Sequence, residues 1–138
     1  MLNFNPELIY RQNMSIFSLL IPARPPLKAR SLVYDLKARL NWGAPALTII
    51  DVRCREDFNK CHILGAIPMP ADELVDHGLV TLELTRDLYI YGDIDEEAAA
   101  AAARLRQAGY QNVSELRGGL AAWKAVGYPV EAISVVAA

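Results

Sequence analysis

Residues 87–109 read DLYIYGDIDEEAAAAAARLRQAG, from Asp87 to Gly109, and this stretch decides the class of fold. Asp87 to Tyr91 is a short, nearly continuous apolar run, the pattern of a strand buried on both faces. A helix is predicted from about Ile94 to Gln107. It contains six consecutive alanines, Ala98 to Ala103, and alanine has the highest intrinsic helix propensity. Gly109 then stops it. A buried strand followed at once by a helix is one half of a strand–helix–strand unit.

The same alternation continues in both directions. Upstream, Leu47 to Ile50 is a second buried strand. A helix is predicted before it, with Ser31 as its cap and Leu32, Val33, Leu36 and Leu40 at helical spacing. Asn41, Gly43 and Pro45 end that helix. Downstream, Val113 to Leu116 is a third strand. Arg117, Gly118 and Gly119 turn the chain into a last helix, Leu120 to Val126, which Gly127 and Pro129 terminate. Strands alternating with helices imply an α/β fold, a mostly parallel sheet with helices on its faces.

The chain has 138 residues, 53% hydrophobic and 22% charged, enough for one domain with a buried core. Its formal net charge of −2 argues against nucleic acid or an anionic membrane as a partner. No apolar run reaches the roughly 18 residues of a membrane span. The stretch before Met14 lacks the basic cluster of a signal peptide, so a cytoplasmic location is expected. Residues 1–26 differ from the rest. Pro6, Pro22, Pro25 and Pro26 punctuate them, and Glu7 to Leu20 is helix-compatible, with Leu8, Ile9, Ile16, Phe17, Leu19 and Leu20 apolar. They read as an extension that packs on, or docks from, a domain of residues 27–138. Two cysteines, Cys54 and Cys61, are too few for a disulfide framework or for a structural zinc site of their own.

Several motifs stand in a fixed order. Asp51-Val52-Arg53 ends a buried strand, and Glu56-Asp57-Phe58 follows it. Next comes Cys61-His62-Ile63-Leu64-Gly65-Ala66. Far downstream stand Leu116-Arg117-Gly118-Gly119, Ala122-Trp123 and Gly127-Tyr128-Pro129-Val130. In this order and spacing they resemble the rhodanese-like domain family over about residues 30–131. The resemblance implies a central, mostly parallel sheet of about five strands with helices on both faces. Independently of it, Trp123 reads as core, and Asp51 with Arg53 as a charge pair at the sheet's carboxyl edge. His62 reads as a structural, hydrogen-bonding histidine.

Active members of that family carry sulfane sulfur on a cysteine that ends the strand before the alanine helix. A loop of backbone N–H groups and the helix N-terminus stabilise the anion. The resemblance sets Gly92 at the cysteine's position, followed by Asp93, Ile94, Asp95, Glu96 and Glu97. Glu97 falls at a common loop arginine and Ala98 at a small polar position. The sequence therefore predicts a vestigial loop, without a nucleophile, whose anion site is filled by the protein's own carboxylates. Asp93 with Glu96 reads as a variant capping box. The expectation is a non-catalytic binding, regulatory or structural module for an unnamed protein partner, with no cofactor and no metal. Three other readings stay open: sulfur carriage by a displaced Cys54 or Cys61, a Cys54–Cys61 redox pair, and a hard cation on the carboxylates. Buried, inert thiols are the default for both cysteines.

Overall fold

A computed structural model describes residues 27–43 and 46–133. The helix predicted over residues 7–20 lies outside them. Seven strands are described: β1 (Arg30–Ser31), β2 (Leu47–Asp51), β3 (Cys61–Ile63), β4 (Ile67–Pro68), β5 (Asp87–Tyr91), β6 (Val113–Leu116) and β7 (Val130–Ala132). Five helices accompany them: α1 (Val33–Asn41), α2 (Arg55–Lys60), α3 (Leu74–Thr81), α4 (Asp95–Gln107) and α5 (Gly119–Ala125).

The five-stranded sheet has the order β1-β6-β5-β2-β4, and every pairing in it is parallel. β3 and β7 form a separate antiparallel pair. The β2–β5 register sets Asp51 opposite Tyr91, so the two central strands end side by side. Period-two alternation splits their side chains between two cores. Ile50, Leu88 and Ile90 face a core completed by α3 and α4, with Leu74, Ala98, Ala101, Ala102 and Leu105. Ile49, Tyr89 and Tyr91 face the other, completed by α1 and α5, with Val33, Leu36 and Trp123. Helices therefore cover both faces. Trp123 is core as its type suggests, fully buried, with its indole N–H donating to the Pro129 carbonyl at 2.7 Å.

The expected strands at 87–91 and 113–116 are found with those bounds, and the one at 47–50 is extended by Asp51. Ser31 corrects the reading of it as a helix cap. It belongs to edge strand β1, where its hydroxyl meets the Ser114 hydroxyl at 2.5 Å. Asp35 takes over the helix end, accepting a hydrogen bond from the Leu32 backbone N–H at 2.9 Å.

Candidate functional site

Parallel α/β sheets bind ligands at the carboxyl ends of their strands. Here the central pair, β2 and β5, ends in two loops of opposite character. After β2 the chain runs through Val52 into Arg53. Asp51 is fully buried and the Arg53 side chain is only 10% exposed. Arg53 Nε donates to Asp51 Oδ1 at 3.1 Å, and Nη2 donates to Oδ2 at 2.8 Å. The backbone N–H of Arg53 adds a bond to Oδ1 at 2.9 Å, and Nη2 also reaches the Cys61 carbonyl at 2.6 Å. Burial alone would lower the pKa of Arg53, but hydrogen bonding and attraction from Asp51 raise it above the ordinary arginine value. The expected charge pair is thus a buried, bidentate clasp that ties the end of β2 to β3.

After β5 the loop 92–97 opens α4. Gly92 is buried and Asp93 to Glu97 are exposed. Ile94 is the N-cap, and its side chain supplies no cap. The Asp93–Glu96 capping box is therefore corrected, because Asp93 sits one residue too early. Glu97, in the first turn, does the reaching back instead. Its Oε2 accepts the Asp93 backbone N–H at 3.2 Å. A Cβ placed on Gly92 would stand 3.0 Å from the Glu97 Cβ, 3.2 Å from Glu97 Oε2 and 3.3 Å from Val52 Cγ2. The space beside Gly92 is thus lined by a carboxylate.

Asp95 faces the other way. Its Oδ1 accepts the Gly118 N–H at 2.9 Å, and its Oδ2 is 3.9 Å from Arg117 Nε. Gly118 and Gly119 have φ of +76° and +50°, a conformation that glycine adopts without strain. A Cβ on Gly119 would lie 3.3 Å from the Gly92 carbonyl oxygen, so the glycine pair lets α5 approach the site loop closely. Glu96 borders a shallow cleft of about 220 Å³ shared with Arg30, Asp95, Ala99, Glu115 and Arg117. Asp93 lies close enough to Arg53 to help raise its pKa. Ala98 is buried in the α4 core. Among the described residues, no three His, Cys, Asp or Glu side chains converge as metal ligands.

Neither cysteine belongs to this loop. Cys54 and Cys61 are both free thiols. Cys54 is exposed and Cys61 half-buried, which corrects the expectation that both are buried. They cap opposite ends of the six-residue α2. Seven residues of helical rise separate them by about 10 Å, beyond the roughly 7 Å that a disulfide can bridge. The Cys54–Cys61 redox pair is therefore excluded in this conformation. His62 is held as a structural residue. Its Nδ1 lies 2.7 Å from the Phe58 carbonyl and its Nε2 lies 2.6 Å from Glu131 Oε2. Its ring stacks on Phe58 at 3.7 Å.

The parallel sheet, the loop between β5 and α4 and the Gly118–Gly119 turn agree with a comparison of sequences. Residues 32–126 match the model of the rhodanese-like domain. The chain belongs to the rhodanese-like domain family. It is 50% identical to the rhodanese-like domain of the Anabaena sp. protein Alr3790, over 81% of this chain and 86% of that one, with a TM-score of 0.76. A thiosulfate sulfurtransferase from Pseudomonas aeruginosa is 29% identical, over 75% of this chain and 20% of that one, with a TM-score of 0.67. The adenylyltransferase and sulfurtransferase UBA4 of Lodderomyces elongisporus is 31% identical over 110 residues, 72% of this chain. The chain spans 24% of that relative's length. The family is thus one related to sulfurtransferases. No described helix is long and apolar enough to cross a membrane.

Proposed function

We propose that this rhodanese-like domain does not transfer sulfur by the family's route and acts as a binding or regulatory module for a protein partner. One observation carries the reading: the Glu97 carboxylate lies 3.2 Å from where a Gly92 Cβ would stand and takes up the Asp93 N–H. Glycine has no nucleophilic atom to offer. A thiolate or persulfide at this position would face a fixed negative charge at close range, which disfavours the charged form. The same carboxylates stabilise the positive end of the α4 dipole, so the loop gains without a bound anion.

A thiosulfate:cyanide sulfurtransferase assay on the purified protein tests this, and no turnover above background is expected. Gly92→Cys alone is expected to leave it near background. Adding Glu97→Arg is expected to raise it at least about tenfold, the effect of about 1.4 kcal/mol on a barrier. High activity in the Gly92→Cys single variant overturns the electrostatic argument.

The exposure of Cys54 favours a second reading, sulfur carriage by a displaced thiol. A Cys54 thiolate would attack the outer sulfur of thiosulfate, forming an S–S bond while sulfite leaves with the electron pair. Mass spectrometry after incubation with thiosulfate distinguishes the readings. A gain of one sulfur, lost in Cys54→Ser or Cys61→Ser, would replace the first reading with the second.

A further inference from the structure

A helix as short as α2 is not stable by itself, and its six residues include no buried one. Its order therefore depends on how its ends are held. The last carbonyls of a helix have no helical N–H to accept. In α2 the Cys61 N–H takes the Asp57 carbonyl, and the Ile133 N–H takes that of Lys60 at 3.3 Å. The Phe58 carbonyl is met by a side chain, with His62 Nδ1 at 2.7 Å.

The other ring nitrogen of His62 is held too. Nε2 lies 2.6 Å from Glu131 Oε2 on β7. The ring stacks on Phe58 with an interplanar angle of 7°, and the side chain is only 12% exposed. A backbone carbonyl and an ionised carboxylate are both acceptors only. A neutral imidazole carries one N–H, and a protonated one carries two. Both short contacts are hydrogen bonds only when both nitrogens carry a proton. A cation suits the place as well, because it faces the carbonyl end of the α2 dipole and lies on an aromatic ring.

Few other charges surround the ring. Asp57 and Lys60 flank Phe58 on α2, and Cys61 precedes His62 on β3. Arg53, from the end of β2, reaches the Cys61 carbonyl at 2.6 Å and is bound to Asp51. From α5, which also packs on β3, Leu120, Ala122 and Trp123 join the shared core, and none is charged. When the ring loses one proton to solvent, the other stays with the stronger acceptor, the Glu131 carboxylate. The Phe58 carbonyl is then left without a donor.

We propose that His62 is a proton-dependent cap of α2, closing the end of the helix when both ring nitrogens are protonated and releasing its last turn when only Nε2 is. Cys54, an exposed thiol, is the N-cap of the same helix, so this proton sets the order of the segment that follows the thiol.

Nuclear magnetic resonance on the full chain reads ring and helix together. The other histidine, His77, is exposed and serves as the reference. At about pH 5 the His62 ring is expected to show two protonated nitrogens, and the backbone shifts of Phe58, Asn59 and Lys60 are expected to be helical. At about pH 8 the proton is expected on Nε2 alone, with those helical shifts reduced by about half or more and the shifts of α4 unchanged. Glu131→Gln separates this cap from general loosening, because a side-chain amide N–H can donate to a bare Nε2. A neutral ring then keeps its proton on Nδ1, and the helical shifts of α2 are expected to persist across the same range. Three results overturn the proposal. His62 carries a single ring proton at the lower pH. The α2 shifts of the unmodified chain stay constant across the range. Glu131→Gln loses the helical shifts as the unmodified chain does.

Discussion

The neighbouring ends of β2 and β5 use charge in opposite ways. At the end of β2, Asp51 and Arg53 are buried together and bonded bidentately, and their role is to hold the strand end, Val52 and β3 in place. At the end of β5, four carboxylates stand in exposed loop residues, and two of them serve as acceptors for nearby backbone N–H groups, Glu97 for Asp93 and Asp95 for Gly118. A buried charge tolerates no loss of its partner, whereas an exposed one has water as a substitute. The rigid half of this edge is therefore the β2 end, and the half free to change its chemistry is the β5 loop.

The sharpest way to break that contrast is Arg53→Ala. It leaves the Asp51 carboxylate buried without its cation and should destabilise the fold by about 3–5 kcal/mol, read as a shift of the denaturant midpoint. Asp51→Asn in the same background should recover part of the loss, because a neutral amide leaves no unpaired charge. Glu97→Ala should change stability by less than about 1 kcal/mol. Equal costs for Arg53→Ala and Glu97→Ala would erase the distinction between the two ends.

Tyr91 joins the two ends and gives the next effect. Burial pushes its phenol pKa up, and the neighbouring Asp51 carboxylate adds to the rise, against smaller lowering by the Ile63 N–H and Arg53. The unfolded phenol ionises near pH 10, before the folded one. Tyr91 therefore contributes full stability below about pH 10 and loses it as pH rises further, at up to about 1.4 kcal/mol per pH unit. Tyr110, also raised by burial, adds to the slope. Tyr91→Phe removes the acceptor of the Ile63 N–H, at 3.1 Å, and should cost about 1 kcal/mol at neutral pH. Its stability should nevertheless fall less steeply than the parent's between pH 10 and 11, measured by denaturant titration at each pH. An unchanged slope would show that the β5 end does not feel the charge of the β2 clasp.

How much of this the sequence discloses depends on how local each cause is. Asp87–Tyr91 and Val113–Leu116 are legible because strands covered on both faces are apolar throughout, and α4 because its alanines need no partner to favour helix. Ser31 misleads because its hydroxyl bonds Ser114, 83 positions away, which no window of sequence contains. Helix α3 goes unseen because Gly78 interrupts it. That glycine is fixed by tertiary contact, as a Cβ there would stand 3.3 Å from the Tyr110 hydroxyl. In the candidate site, the loop's position and its carboxylates are legible from the motif order. The division of labour among them is not. Asp95 turns to a glycine amide 23 positions away, and Glu97 rather than Glu96 reaches back because the helix starts at Asp95. The exposure of Cys54 depends on the packing of a six-residue helix with no buried residue, which leaves no apolar stripe to read.

The smallest expected effect probes the β5 loop most directly. Gly92 does not need glycine for its backbone, since positive φ is confined to other positions among the described residues. Replacing such a glycine by alanine usually stabilises by about 0.4–1 kcal/mol, through a less disordered unfolded chain. Here the new methyl would meet the Glu97 Cβ at 3.0 Å and Val52 Cγ2 at 3.3 Å, and relieving that crowding should cost about 1 kcal/mol. The two terms nearly cancel, so Gly92→Ala alone should change stability little. Glu97→Ala retains the Cβ but removes the carboxylate 3.2 Å from the new methyl, which leaves the loop free to shift away from Gly92. In that background Gly92→Ala should become stabilising, giving a coupling of roughly 0.5 kcal/mol between the two sites in a double-mutant cycle. Simple additivity would mean that the Glu97 carboxylate does not occupy the space beside Gly92, and the electrostatic case against a thiolate there would lose its geometric basis.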